Sequence, residues 1–140
     1  KNYSCEITYP EDVLVGKNIN DSSQVKALNN IEDDDIILDI GPKTVEKIKK
    51  IIEISETVLW NGPAGYFENP NFANGSYEIA KAITKKNKNN SIYSVVGGGD
   101  TIALINKIKL IENFNFVSTA GGAFLEYLEG KELPGIKALN

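Results

Sequence analysis

Gly97, Gly98, Gly99, Asp100 and Thr101 lie between a run of β-formers (Ile92, Tyr93, Val95, Val96) and an apolar stretch carrying Ile102, Ile105 and Ile108. These residue types in this order can build an anion site. A strand that runs through a glycine turn into a helix N-terminus presents first-turn N–H groups backed by partial positive charge. The missing side chains let a ligand approach closely. Asp100 adds a carboxylate beside that spot, which suits a metal ion travelling with the anion, or else simply caps the helix. Two further clusters repeat the theme: Asn61-Gly62-Pro63-Ala64-Gly65 follows an apolar run at 57–60, and Thr119-Ala120-Gly121-Gly122 follows Phe116-Val117-Ser118. The first of these opens a long loop with Tyr66, Phe67 and Glu68 that extends to Gly75. A long aromatic loop in a compact domain tends to carry function.

Strands and helices in alternation must position these loops. Apolar–polar alternation at Cys5, Ile7 and Tyr9 predicts a first strand ended by Pro10, with Cys5 a buried structural thiol. Val13-Leu14-Val15 is a short apolar run ended by Gly16, and residues 36–40 form another before Gly41-Pro42 opens a helix with proline at its first position. That helix carries Val45, Ile48, Ile51 and Ile52 on one face and lysines on the other. Ser76 is predicted to cap a second helix, with Ile79, Ala80 and Ile83 inward. A third follows Gly99, and a fourth over 123–129 ends at Gly130, a C-cap glycine. The cluster Glu32-Asp33-Asp34-Asp35 is expected to be a solvated surface turn, because the glycine of an EF-hand loop is missing.

The alternation predicts an α/β fold: a three-layer, Rossmann-like parallel sheet with helices on both faces, incomplete at its N-terminal side and forming a single domain. Its glycine loops fall on the carboxyl edge of the strands, where ligands bind in such sheets. Neither the P-loop nor the dinucleotide fingerprint fits, since Gly97-Gly98-Gly99-Asp100-Thr101 has no Lys and the wrong glycine spacing.

Composition narrows the chemistry. The chain has 140 residues, 41% of them hydrophobic, and a net charge of −4, which argues against a nucleic-acid or membrane-surface partner. All 15 basic residues are Lys; without Arg or His, this chain supplies no arginine clamp and no histidine acid–base chemistry. Cys5 is the single cysteine, so no internal disulfide forms, consistent with a reducing, cytoplasmic setting. The chain starts at Lys1 and is expected to be a fragment whose upstream elements are missing.

Leu38-Asp39-Ile40-Gly41-Pro42, Trp60-Asn61-Gly62-Pro63-Ala64-Gly65-Tyr66-Phe67-Glu68, Gly97-Gly98-Gly99-Asp100-Thr101 and Ser118-Thr119-Ala120-Gly121-Gly122-Ala123 occur in order. With the ending Leu125-Glu126-Tyr127-Leu128-Glu129-Gly130-Lys131-Glu132-Leu133-Pro134-Gly135, they resemble the C-terminal domain of phosphoglycerate kinase. The resemblance implies that residues 1–140 are most of a nucleotide-binding domain, the N-terminal phosphoglycerate-binding domain being absent. It implies a glycolytic phosphoryl transfer between 1,3-bisphosphoglycerate and ADP, giving 3-phosphoglycerate and ATP, with Mg2+, by a protein that is monomeric when full length. By the same resemblance, Asp100 would hold Mg2+. Gly98, Gly99 and Thr101 would contact the nucleotide phosphates, Asn61 would lie by the terminal phosphates, and Glu68 would bond the ribose. Leu38 and Tyr66 would line the adenine pocket, and Gly121 and Gly122 would face the phosphoryl group in transfer. Ala120 stands where the family has a glycine, and Ile37 where many members have one against the adenine. The fragment alone is expected to be inactive. A stand-alone nucleotide-binding regulatory module is the alternative.

Overall fold

The computed structural model describes residues 5–139 and divides them into two compact units, with boundaries in the first and second α-helices and in the loop between residues 63 and 64. One comprises residues up to 51 and 64–79, the other 52–63 and 80 onward.

The first unit holds an antiparallel sheet that the alternation of elements did not announce. Strands β1 (Asp12–Gly16), β2 (Gln24–Ala27) and β3 (Ile36–Ile40) pair in the order β2-β1-β3. Every residue of β1 is buried, because this central strand is covered along its whole length. Its turn toward β2 is held by Asp21, whose carboxylate accepts the N–H groups of Lys17 and Asn18, both at 3.0 Å. Helix α1 (Pro42–Ile54) does begin at proline, as expected. Its N-terminus is capped from a distance. Asp12 Oδ1 accepts the Thr44 N–H at 2.8 Å and Oδ2 the Lys43 N–H at 3.0 Å. Gly41 must be glycine there, because a Cβ would sit 2.2 Å from the Asp12 carboxyl carbon. Leu14, Leu38 and Phe72 form the unit's core cluster, with Tyr66 packed against it.

The second unit is the parallel sheet. Strands β4 (Thr57–Asn61), β5 (Tyr93–Gly97) and β6 (Phe116–Ser118) lie side by side in chain order. Helix α2 (Asn74–Asn87), which ends in this unit, crosses from β4 to β5, and α3 (Gly99–Lys107) crosses from β5 to β6. Two right-handed crossovers in the same direction put both helices on one face of the sheet. The strand residues of that face, Trp60, Ser94 and Val96, are buried, and Ile83, Leu104 and Ile105 are fully so. Short helices α4 (Gly122–Leu128) and α5 (Pro134–Lys137) follow, with Gly130 in the left-handed region after α4. The C-terminus of α1 is closed by Lys86, whose ammonium donates to the carbonyls of Ile52, Glu53 and Ser55 at 3.2, 2.6 and 2.6 Å. The fold class is thus α/β with a parallel sheet flanked by helices.

Four local expectations change. Residues 5–10 form no strand among those described, and Ile7 and Tyr9 are exposed; alternation needs a paired neighbour to become a strand. Cys5 is accordingly exposed rather than buried. Ser76 lies inside α2, fully buried, where its hydroxyl accepts the Ala64 N–H at 2.8 Å instead of capping the helix. The acidic turn is solvated at Glu32, Asp33 and Asp34, but the Asp35 side chain is 1% exposed. Lys17 and Lys26, on and beside strands β1 and β2, reach into it, with Lys26 Nζ 2.7 Å from Asp35.

Candidate functional site: a glycine-lined strand edge

In the parallel sheet, Asn61, Gly97 and Ser118 stand in register at the carboxyl ends of their strands. The three glycine-bearing loops therefore leave from one edge. After β5 the chain turns through Gly98, the N-cap of α3, at φ +88°, a value L side chains rarely adopt. Space forbids a side chain as well: a Cβ on Gly98 would lie 2.9 Å from the Asn61 carboxamide oxygen. Asn61 and Gly98 are thus fitted to each other. Gly99 faces open space, so its backbone is accessible.

No side chain caps α3. Its first-turn N–H groups are left to whatever arrives from outside. Asp100 in that turn is exposed and has no hydrogen bond or ion pair among the described residues. It does not cap the helix in this structure. Thr101 is fully buried, and its hydroxyl accepts the Gly62 N–H at 2.7 Å. It ties the loop after β4 to α3. After β6, Gly121 takes φ +50° and Gly122 begins α4, both with open space where a Cβ would be. Ala120 is not among the described non-glycine residues with positive φ, so its methyl group imposes no backbone strain.

The antiparallel unit carries the other predicted residues. The register shift between Leu14 and Val15 leaves Leu38 without a partner on β1. Its carbonyl accepts the Tyr66 N–H at 2.7 Å instead, which fastens the long loop to β3. The Leu38 side chain itself is 8% exposed and packs in the core cluster. Tyr66 is half-buried against that cluster, and Glu68, two residues on, is exposed and unpaired among the described residues. Ile37 is 54% exposed on β3.

Two buried carboxylates escaped the sequence reading. Asp39 is 1% exposed, and no cation faces it among the described residues. Its oxygens accept the N–H groups of Ile40 and Gly75, both at 2.8 Å. Burial pushes its pKa above the usual carboxylate value, against the pull of those two N–H groups. Gly65 and Gly75 press on it so closely that a Cβ at either would come within 2.5 Å of Oδ1. Asp12 is the opposite case. Burial would raise it, but the N–H groups of Thr44 and Lys43 and the Thr44 hydroxyl hold it below the usual value. Their one sequence signal was position, each being an acid inside or beside an apolar strand run.

An open helix N-terminus, a partnerless carboxylate in its first turn and a carboxamide across a glycine can together hold a phosphate group with a divalent cation. The donor set, oxygen ligands beside backbone N–H groups, suits Mg2+.

The comparisons with known proteins point to one family. A family model described as phosphoglycerate kinase matches residues 1–131. The phosphoglycerate kinase of Chlorobium phaeobacteroides is 51% identical over 133 residues, which are 94% of this chain and 33% of that protein. That of Zymomonas mobilis is 44% identical over 137 residues, 96% of this chain and 34% of that one. Among solved structures, phosphoglycerate kinase from Coxiella burnetii superposes with a TM-score of 0.85 at 42% identity, covering 93% of this chain and 33% of that one. The enzyme from Pyrococcus horikoshii gives 0.75 at 35% identity. The chain spans about a third of the length of these relatives. Motif order, the glycine-lined strand edge and the extent of these matches together make the chain a member of the phosphoglycerate kinase family.

Proposed function

We propose that this chain supplies the Mg-nucleotide site for phosphoryl transfer between 1,3-bisphosphoglycerate and ADP, as the greater part of the nucleotide-binding, C-terminal domain. The observation that carries the reading is the uncapped N-terminus of α3, with Gly98 at φ +88° and Asp100 exposed without a partner among the described residues.

The N–H groups of Gly99, Asp100 and Thr101 would bind the nucleotide phosphates, and the Asn61 carboxamide would orient the terminal one. Asp100 would hold Mg2+, which when bound neutralises charge on the phosphate oxygens. Thr101 keeps the loop after β4 and the helix in fixed relation through the Gly62 N–H. Leu38 and Tyr66 would line the adenine pocket, with Leu38 acting through its backbone fastening of the loop as much as through its side chain. Glu68 would accept from the ribose hydroxyls. Gly121 and Gly122 would offer unhindered backbone to the group in transfer. Phosphoryl transfer relies on positioning and charge neutralisation rather than a covalent nucleophile, so residues of these kinds suffice for the nucleotide half. With neither Arg nor His in the chain, the cations facing the transition state would come from outside these 140 residues.

Calorimetric titration of ADP with and without Mg2+ tests the reading. Saturable binding that Mg2+ strengthens at least about tenfold, and that loses this dependence in Asp100→Ala, is expected; tenfold corresponds to about 1.4 kcal/mol. Equal affinity for wild type and variant under both conditions would refute the assignment of Asp100.

A further inference from the structure

The sequence contains two Asn-Gly pairs, Asn61-Gly62 and Asn74-Gly75, and the fold requires both glycines. Gly62 sits at φ +99°, a value L side chains rarely adopt, and a Cβ on Gly75 would lie 2.4 Å from Asp39 Oδ1. Such pairs are a chemical liability. Glycine offers its backbone nitrogen with no side chain to shield it, and both asparagines are exposed to water. Once that nitrogen gives up its proton, it attacks the asparagine Cγ. The new N–Cγ bond closes a succinimide ring, the Cγ–Nδ2 bond breaks, and the side-chain nitrogen leaves as ammonia, taking up a proton in place of the one the backbone lost. Water then opens the ring at either carbonyl, leaving aspartate or isoaspartate.

In the folded chain the attacking nitrogen is engaged at both pairs. The Gly62 N–H donates to Thr101 Oγ1 at 2.7 Å, and the Gly75 N–H donates to Asp39 Oδ2 at 2.8 Å. The acceptors stand 39 and 36 positions away, so neither bond is a by-product of the local turn. Thr101 is fully buried and Asp39 is 1% exposed, which keeps water from competing for them. Before either nitrogen can attack, its bond must break, and its proton must leave beside an oxygen lone pair. We propose that Thr101 and Asp39 guard the two Asn-Gly peptides against spontaneous deamidation, and that Asn61 is the modification site uncovered when its guard is lost. Asn61 is the less protected of the two. Its guard is a neutral hydroxyl in a part-buried bond, whereas Asn74 lies in the first turn of α2 and its glycine is held by a buried acid. Deamidation at Asn61 would set a carboxylate against Gly98 where a carboxamide now fits. The consequence for an arriving phosphate rests on the proposed function; the guarding itself does not, and holds with or without nucleotide binding.

The test follows both pairs in one molecule. The folded 140-residue chain is incubated at mildly alkaline pH and digested with chymotrypsin, which separates the pairs into peptides 61–66 and 73–77. Mass spectrometry then times the change from amide to acid at each. Thr101→Val should speed conversion at Asn61 about fivefold, the factor equivalent to losing a hydrogen bond worth about 1 kcal/mol, and leave Asn74 at its wild-type rate. Thr101→Ser, which restores the hydroxyl, should return Asn61 to the slow rate. An unchanged Asn61 rate in Thr101→Val would overturn the proposal. So would equal acceleration of both pairs, because general loosening rather than a lost guard would then be the cause. Asp39→Ala is the reciprocal case, in which Asn74 should accelerate ahead of Asn61. If that variant does not fold, the two Thr101 variants still decide the matter.

Discussion

At the scale of single residues, Gly98 and Asn61 form one unit. Both φ +88° and the 2.9 Å approach of the Asn61 oxygen exclude a side chain at Gly98. Gly98→Ala is expected to cost about 1–3 kcal/mol, the usual range for a residue forced into a sparsely populated backbone region. Thermal denaturation should show the fall, and nucleotide affinity should drop further than stability explains because the turn that aims the α3 N–H groups is displaced. Gly99→Ala is the control: with open space around it and no positive φ, it should leave Tm nearly unchanged. Equal losses for the two would contradict the geometric account. Thr101→Val tests the tie across the loops. It leaves the part-buried Gly62 N–H without its acceptor, at a cost of about 1 kcal/mol, the usual net worth of one hydrogen bond.

Glycine chemistry was the most legible part of the sequence, because a glycine's placement reflects local backbone need. The residues the sequence concealed all act at a distance. Asp12 caps α1 from 31 and 32 positions upstream, Asp39 meets Gly75 from 36 away, and Thr101 meets Gly62 across 39. Each is an ordinary acid or hydroxyl until the fold supplies its partner.

At the scale of elements, α1 is closed at both ends by groups outside it. Asp12 accepts from its first turn and Lys86 donates to its last carbonyls. Lys86→Met should remove three charge-assisted bonds to a helix C-terminus while keeping the aliphatic stem, costing about 1–2 kcal/mol by denaturant unfolding. For Asp12 the linkage to pH has a definite sign. Its folded pKa is depressed below 3.8, so its contribution to stability is fully present above that unfolded value and is lost as pH falls through the folded one. Urea midpoints measured downward from about pH 5 should decline in the wild type, and less steeply in Asp12→Ala, which begins less stable. A parallel decline in both would deny Asp12 that role.

The antiparallel sheet shows why elements are harder to read than loops. Val13-Leu14-Val15 is short and uniformly apolar, which suits the central strand of either sheet type, and its connection to β2 carries no two-residue hairpin signal. Residues 5–9 err the other way, with alternation and no neighbour to pair with. The acidic turn at 32–35 was legible as charge but not as a network, because Lys17 and Lys26 reach it only once β1 and β2 are paired. Those lysines hold the Asp35 carboxyl well below the usual range, Lys26 first, and Asp34 raises Lys17 above its own.

At the scale of the molecule, this chain spans about a third of the length of its relatives. It contains no arginine or histidine to meet a transferring phosphoryl group. In a coupled assay the isolated chain should show no turnover above background; substantial turnover would mean that these residues hold the phosphoglycerate as well.

The central claim is that the N-terminus of α3 receives nucleotide phosphates with Mg2+ at Asp100. Backbone amide NMR during an ADP titration addresses it directly. The resonances of Gly99, Asp100 and Thr101 and the Asn61 side-chain amide should move together and saturate. They should move further with Mg2+ present, and Asp100→Asn should abolish that increment. Amide shifts that leave these four residues untouched while ADP binds elsewhere on the chain would contradict the claim.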